Sequence, residues 1–191
     1  MITVAKNVNV QNYGKFIGNR GFTSSRILDK NVYGLGSKEI YSTKINAKKR
    51  QYFVDLKASE DSGEVGLSNA LFVKISEREK NTGKRSSILL GFGDLPECIE
   101  SMKQGLDPES LEKKPDSYKS LPSKLFEHKS YKFFARENDF GRYLTVHEIF
   151  TGGVRMDTRV NILIPQENLQ DLIDELEIVL SKANERVAAS L

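Results

Sequence analysis

Between Ser130 and Phe150 the chain alternates with a period of two. Tyr131, Phe133 and Ala135 fall on one side and Lys132, Phe134 and Arg136 on the other, the pattern of a half-buried strand. Asn138-Asp139-Phe140-Gly141 supplies a turn, after which Leu144 and Val146 oppose Tyr143, Thr145 and His147. The pattern predicts a hairpin with one apolar face and one face that carries rings among positive charges. Rings left on a solvated sheet surface gain nothing from exposure, so that second face is expected to meet something flat.

The same period recurs upstream. Glu39 to Ile45 reads as a strand, Lys48-Lys49-Arg50 as a turn, and Gln51 to Lys57 as a second strand with Tyr52, Val54 and Leu56 opposed to Phe53, Asp55 and Lys57. A polar, Gly-containing loop follows from Ser59 to Asn69. Leu71 to Arg78 then sets Leu71, Val73 and Ile75 against Phe72, Lys74, Ser76 and Arg78, and Asn81-Thr82-Gly83-Lys84 turns into a fourth strand over Ser86 to Gly91. Asp94 stands where a helix cap is wanted, with Pro96 and Glu97 in the first turn, Leu95, Ile99 and Met102 on the buried stripe, and Gly105 at the close. In the second half a short strand is expected within Lys124 to Lys129. The hairpin comes next, then a Gly152-Gly153 turn and a strand over Arg159 to Ile164. Pro165 opens a helix whose Leu169, Leu172, Ile173, Leu176, Val179 and Leu180 recur at helical spacing.

Four strands and a helix therefore occur twice. The expected fold class is α+β, two β-β-β-β-α repeats, each a curved antiparallel sheet backed by a helix on one face and open on the other. The chain divides into a basic N-terminal arm over 1–38, a first repeat over 39–106, a Pro-containing linker over 107–123, a second repeat over 124–184 and a tail over 185–191. Superposing the alternation of the halves equates Phe53 with Lys132, Asp55 with Phe134 and Lys57 with Arg136. It likewise equates Phe72 with Tyr143, Val73 with Leu144, Lys74 with Thr145 and Ile75 with Val146.

Charge sharpens this picture. The net value is only +3 over 191 residues, but Met1 to Lys38 holds six Lys and Arg against one acid, while five acids crowd between Glu167 and Glu177. Such an asymmetry suits an anionic partner docked away from the last helix. In the arm, Tyr13, Phe16, Phe22 and Tyr33 interleave with Lys15, Arg20, Arg26 and Lys30, which fits either a loose terminal extension or a segment that orders on nucleic acid. No run of about 18 apolar residues offers a membrane span, and the first residues lack a signal-peptide core. Cys98, the single cysteine, has no internal partner for a disulfide, which fits a reducing compartment and a cytoplasmic or nucleoid-associated location.

The stretches KRQYFVDLK from Lys49 to Lys57, LFVKISE from Leu71 to Glu77, ENDFGRYLTVHE from Glu137 to Glu148 and NILIPQENLQDLIDEL ending at Leu176 resemble the PUR repeat of purine-rich-element binding proteins. The second half is also similar to the transcriptional positive cofactor four family, of the whirly type. The resemblance spans roughly Glu39 to Leu106 and Leu125 to Lys182. It implies two units packed as an intramolecular pseudo-dimer, single-stranded DNA or RNA on the strand faces, and acidic helices away from the nucleic acid or between the units. The Asn-x-x-Gly-Arg turn of the repeat is present as Asn138, Gly141 and Arg142, whereas the first unit has its long loop there.

Those partners set the chemistry. Stacking a base on an aromatic ring is worth about 1–3 kcal/mol whatever the base, and phosphates require Lys or Arg. Phe53, Phe72, Phe134 and Tyr143 are the expected platforms; Lys57, Lys74, Arg78, Lys132, Arg136 and Arg142 are the expected phosphate contacts. Any one ring has an alternative cover in the other repeat or the arm, so the expectation rests on the set. Catalysis is not indicated: His128 and His147 are the only histidines, no Cys or His cluster has metal-ligand spacing, and Gly91-Phe92-Gly93 lacks the Lys-Ser/Thr of a phosphate loop. No cofactor or metal is implied. The expected function is sequence-tolerant single-stranded DNA binding in replication, recombination or transcription. RNA binding and a coactivator or protein-interaction scaffold are the alternatives, and a homodimer through helices or sheets remains open.

Overall fold

The computed structural model describes residues 36–59, 71–107, 109, 117–124, 129–150 and 158–189. Nearly all of the expected arm and first-repeat loop, and the Gly152-Gly153 turn, lie outside these residues. The first sheet is an antiparallel meander of β1 (Ser37–Asn46), β2 (Arg50–Ser59), β3 (Leu71–Glu79) and β4 (Arg85–Gly91), followed by a single 3-10 turn and helix α1 (Leu95–Gln104). The second repeats it as β5 (Lys119–Pro122), β6 (Lys129–Asn138), β7 (Gly141–Phe150) and β8 (Thr158–Pro165), followed by α2 (Gln166–Ala188).

Alternation explains the strands. Tyr52, Val54 and Leu56 on β2, and Tyr131 and Phe133 on β6, are fully buried in one continuous core, while the residues between them are partly open. Helix α2 inserts Leu169, Leu172, Ile173, Leu176 and Val179 into that core. It lies against β1 and β2 of the first sheet as well as β7 and β8 of its own, and along α1. Each helix also reaches across to the other repeat: the Tyr41 hydroxyl of β1 donates to Glu175 of α2, and that of Tyr118, just before β5, donates to the Ser101 carbonyl of α1 at 2.7 Å.

The two sheets are joined by one device used twice. Tyr52 donates to the Leu163 carbonyl at 2.7 Å and Glu77 accepts the Leu163 N–H at 2.7 Å, with Arg50 paired to Glu77. In the other half Tyr131 donates to the Leu89 carbonyl at 2.6 Å and Glu148 accepts the Leu89 N–H at 2.8 Å, with Lys129 paired to Glu148 at 3.2 Å. Burial pushes both phenol pKa values up, which keeps them as hydrogen-bond donors. Arg50, Tyr52 and Glu77 thus correspond to Lys129, Tyr131 and Glu148, the register obtained from the sequence alternation of β2 with β6 and β3 with β7.

Three local expectations change. The first strand of the second repeat is Lys119–Pro122, inside the stretch read as linker. Four residues ending in Pro are too short to alternate visibly, and an edge position tolerates the missing N–H. Helix α2 runs on to Ala188, into the stretch 185–191 expected as a tail beyond the second repeat, and Val187 packs against the core. Asp94 makes no side-chain cap; its buried carboxylate accepts the Ser123 hydroxyl at 2.5 Å and the Lys124 N–H at 2.6 Å, tying the start of α1 to the end of β5. Gly105 closes α1 in ordinary helical geometry, and a Cβ there would come within 2.8 Å of the Tyr118 hydroxyl and 3.1 Å of Leu144. Close packing, not left-handed backbone, demands that glycine. Gly141, at φ 108, is the one in the β6–β7 turn that does need it.

Candidate nucleic-acid interface

On the first sheet the residues facing away from the core include Phe53, Lys57, Lys74 and Arg78. Phe53 is half-buried, with the Lys44 ammonium 5.8 Å and the Arg85 guanidinium 5.8 Å from its ring centroid. Both lie within the roughly 6 Å reach of a cation–π contact. Lys44 stands opposite Phe53 in the β1–β2 register, and Arg85 stands opposite the exposed Arg78 across β3–β4. Lys57 and Lys74 are half-buried on the same side, Lys74 opposite Asp55.

On the second sheet Lys132, Phe134 and Arg136 alternate outward along β6, with Arg136 exposed and the other two half-buried. The Arg136 guanidinium is 5.1 Å from the Phe134 ring centroid, and the His147 ring lies against Phe134 at a tilt of 45°, with centroids 4.6 Å apart. Tyr143 is half-buried opposite Arg136. Partial desolvation and the nearby Arg159, Arg136 and Lys132 lower the His147 pKa from 6.5 to about 4, so the imidazole is neutral near pH 7. Its Nδ1 is buried without a hydrogen-bond partner among the described residues.

Three outward expectations are corrected. Phe72 is only 1% exposed and cannot offer a ring face to a base. Parity assigns it to the outward side correctly, but that end of β3–β4 is covered: Leu89, its diagonal neighbour on β4, is fully buried and bonded to Tyr131, Lys129 and Glu148 of the second repeat. Thr145 is likewise buried, at 5%. Arg142 has the parity of Leu144, opposite to that of Tyr143, and lies 3.9 Å from Glu137, so it stands at the turn and not among the rings. The two sheets therefore carry two separate ring-and-cation clusters, one around Phe53 and one around Phe134.

A family model described as PurA ssDNA and RNA-binding protein matches residues 37–188. The chain belongs to this family. The match runs from the first residue of β1 to the last of α2, so both repeats and the segment between them are included. A comparison with curated proteins gave no match. Single-stranded nucleic-acid binding is the property that PurA membership carries, in agreement with the outward faces.

The sequence reading missed Lys44, Arg85 and Arg159, all neighbours of the rings. A signal existed for the first: the tight β1–β2 turn, closed by the Ala47 N–H on the Arg50 carbonyl, forces Lys44 opposite Phe53. Arg85 follows similarly from the β3–β4 turn. Arg159 had no such signal, because residues 151–157 separate β7 from β8 in sequence and a connection of that length fixes no register.

Proposed function

We propose that the protein binds single-stranded DNA without strong sequence preference, stacking bases on Phe53, Phe134 and Tyr143. Lys57, Lys74, Arg78, Lys132 and Arg136 neutralise phosphates, joined by Lys44, Arg85 and Arg159. The observation that carries this reading is the repeated cluster itself: a half-buried ring beside cations on the outward face of each sheet. A ring so placed keeps a face for stacking while its position is fixed before the base arrives, and the adjacent cations lie where a backbone would run. Binding is the whole of the proposed activity, in replication, recombination or transcription.

RNA uses the same stacking and phosphate contacts, so the reading extends to it. The rival reading is a coactivator or scaffold whose ring face docks a polypeptide, as the likeness to the positive cofactor four family suggests. Fluorescence anisotropy with a thymidine oligomer, the matching uridine oligomer and a duplex of equal length decides among these. Preference for single strands over duplex at low salt is expected. Equal weak affinity for all three refutes the proposal, and oligomer binding unchanged in Phe134→Ala and Tyr143→Ala favours the polypeptide partner.

A further inference from the structure

The two joints between the sheets are built from corresponding parts but do not close equally. Counting along the strands from Tyr52/Tyr131, Glu77/Glu148 and Leu163/Leu89, Glu79 corresponds to Phe150 and Ser86 to Val160. In the second joint Phe150 lies 5.5 Å from the Lys129 ammonium and Val160 is buried, and the Lys129–Glu148 pair is 1% exposed at both side chains. In the first joint the apolar pair is replaced by a carboxylate and a hydroxyl. A cavity of about 180 Å³ opens there.

Arg50 and Glu77 form one wall of that cavity and neutralise one another. Glu79, Lys84, Ser86, Asn161 and Leu163 complete it. The lining is thus polar yet balanced, with two acids and two bases, which suits a neutral hydrogen-bonding group better than a phosphate. Its size is well under the roughly 300–1,000 Å³ of sites for drug-sized ligands, and matches a single flat heterocycle. The mouth also has a neighbour of the right kind. Asn161 is exposed and stands opposite His147 in the β7–β8 register, and the tilted His147 ring packs against Phe134. On the other rim Lys84 precedes Arg85, which lies against Phe53. The cavity therefore sits between the two ring-and-cation clusters.

We propose that this cavity receives one nucleobase bearing an exocyclic amino group, turned in from a strand that lies on Phe134 and His147. The inference rests on the nucleic-acid reading above. An adenine, cytosine or guanine amino group has acceptors in the Glu79 carboxylate and the Asn161 amide oxygen, while the Asn161 amide and Ser86 hydroxyl donate to ring nitrogens or carbonyls. Thymine has no amino group and offers Glu79 only its single imide N3–H, flanked by two carbonyl oxygens that a carboxylate repels. A protein whose stacking platforms accept any base thereby acquires one position that reads base identity.

The experiment replaces one thymine at each position in turn of a short thymidine oligomer with adenine, cytosine or guanine and measures affinity by anisotropy. The wild-type protein is expected to favour an amino-bearing base at one position by roughly two- to tenfold, the yield of one hydrogen bond. Glu79→Phe combined with Ser86→Val installs the residues of the closed joint and should abolish the preference while leaving all-thymine affinity in place. Asn161→Ala, at an exposed position, should reduce the preference and serves where the double variant melts early. Equal affinity for every substituted oligomer in the wild type, or a preference that survives both variants, overturns the inference. Failure of the all-thymine oligomer to bind would instead refute the nucleic-acid reading itself.

Discussion

The sealed joint offers a sharp test of what holds the repeats together. Lys129 and Glu148 are 1% exposed at both side chains, and Lys129 also donates to the Leu89 carbonyl at 2.7 Å. Glu148→Gln leaves that ammonium buried without its counter-charge, for which the expected cost is about 3–5 kcal/mol. Against a total stability of about 5–15 kcal/mol this is a large share, and for a chain of this size it lowers Tm by roughly 6–20 °C. The matching Glu77→Gln change acts on a pair whose Arg50 side chain is 24% exposed beside the cavity, so water can take up the released charge. Its expected cost is only about 1–3 kcal/mol. Replacing both charges, as Lys129→Met with Glu148→Leu, removes the desolvation penalty but leaves the Leu89 N–H unpaired, so the double variant should lose about 1–3 kcal/mol, less than Glu148→Gln alone. Urea unfolding followed by circular dichroism and tyrosine emission, suited to a chain with seven Tyr and no Trp, yields the three values from Cm and m. A Glu148→Gln variant within about 1 kcal/mol of wild type, or one less destabilised than Glu77→Gln, would refute the reasoning about buried charge.

Phe53→Ala and Phe134→Ala should each weaken oligomer binding by about 1–3 kcal/mol with little change in unfolding midpoint. Phe72→Ala should do the reverse, costing about 3–5 kcal/mol of stability because it empties a filled site. Lys132→Ala and Arg136→Ala should each flatten the slope of log affinity against log salt by about 0.7, as expected for one lost phosphate contact on a single strand; unchanged slopes would remove them from the interface. His147 has its folded pKa lowered from 6.5 to about 4, so the free protein loses stability as pH falls through that interval. A phosphate beside Arg136 and Lys132 would raise that pKa again, so oligomer affinity should increase from neutral pH toward pH 5, and His147→Gln should remove the pH dependence.

The strands and helices were legible because burial writes itself as periodicity: Tyr52, Val54 and Leu56 alternate with Phe53, Asp55 and Lys57, and the Leu169 to Val179 series repeats at helical spacing. Even the correspondence of the two repeats could be read, since β2 with β6 and β3 with β7 share their parity. What could not be read was cover. Phe72 and Phe53 look alike in sequence, each an outward ring near a lysine, and only the seating of the second repeat on Leu89 separates a sealed ring from a partly open one. The joint itself was illegible for a related reason. Glu77 and Glu148 sit at inward positions where alternation calls for apolar residues, and their partners are backbone groups of the other repeat, more than fifty residues away in each case. β5 was misplaced because four residues carry too little alternation to be seen.

The unequal closure of the two corresponding joints bears directly on how the two outward faces are held relative to one another. The buried hydrogen bond to Leu89 and the part-buried one to Leu163, together with α2 lying against strands of both sheets, fix the Phe53 and Phe134 clusters relative to one another. Once a strand is bound at one cluster, its approach to the other is intramolecular, at an effective concentration set by the length and stiffness of the strand between them. Had a flexible tether been the sole connection, much of that gain would be spent on ordering the tether. The closed joint of Lys129 and Glu148 supplies this rigidity. The first joint, with Glu79 and Ser86 in place of Phe150 and Val160, gives up some apolar packing at the point where a bridging strand would pass. Loss of packing at one of two corresponding seams, and at the one bordered by Asn161 and Lys84, is intelligible if that seam faces the nucleic acid while the other holds the fold.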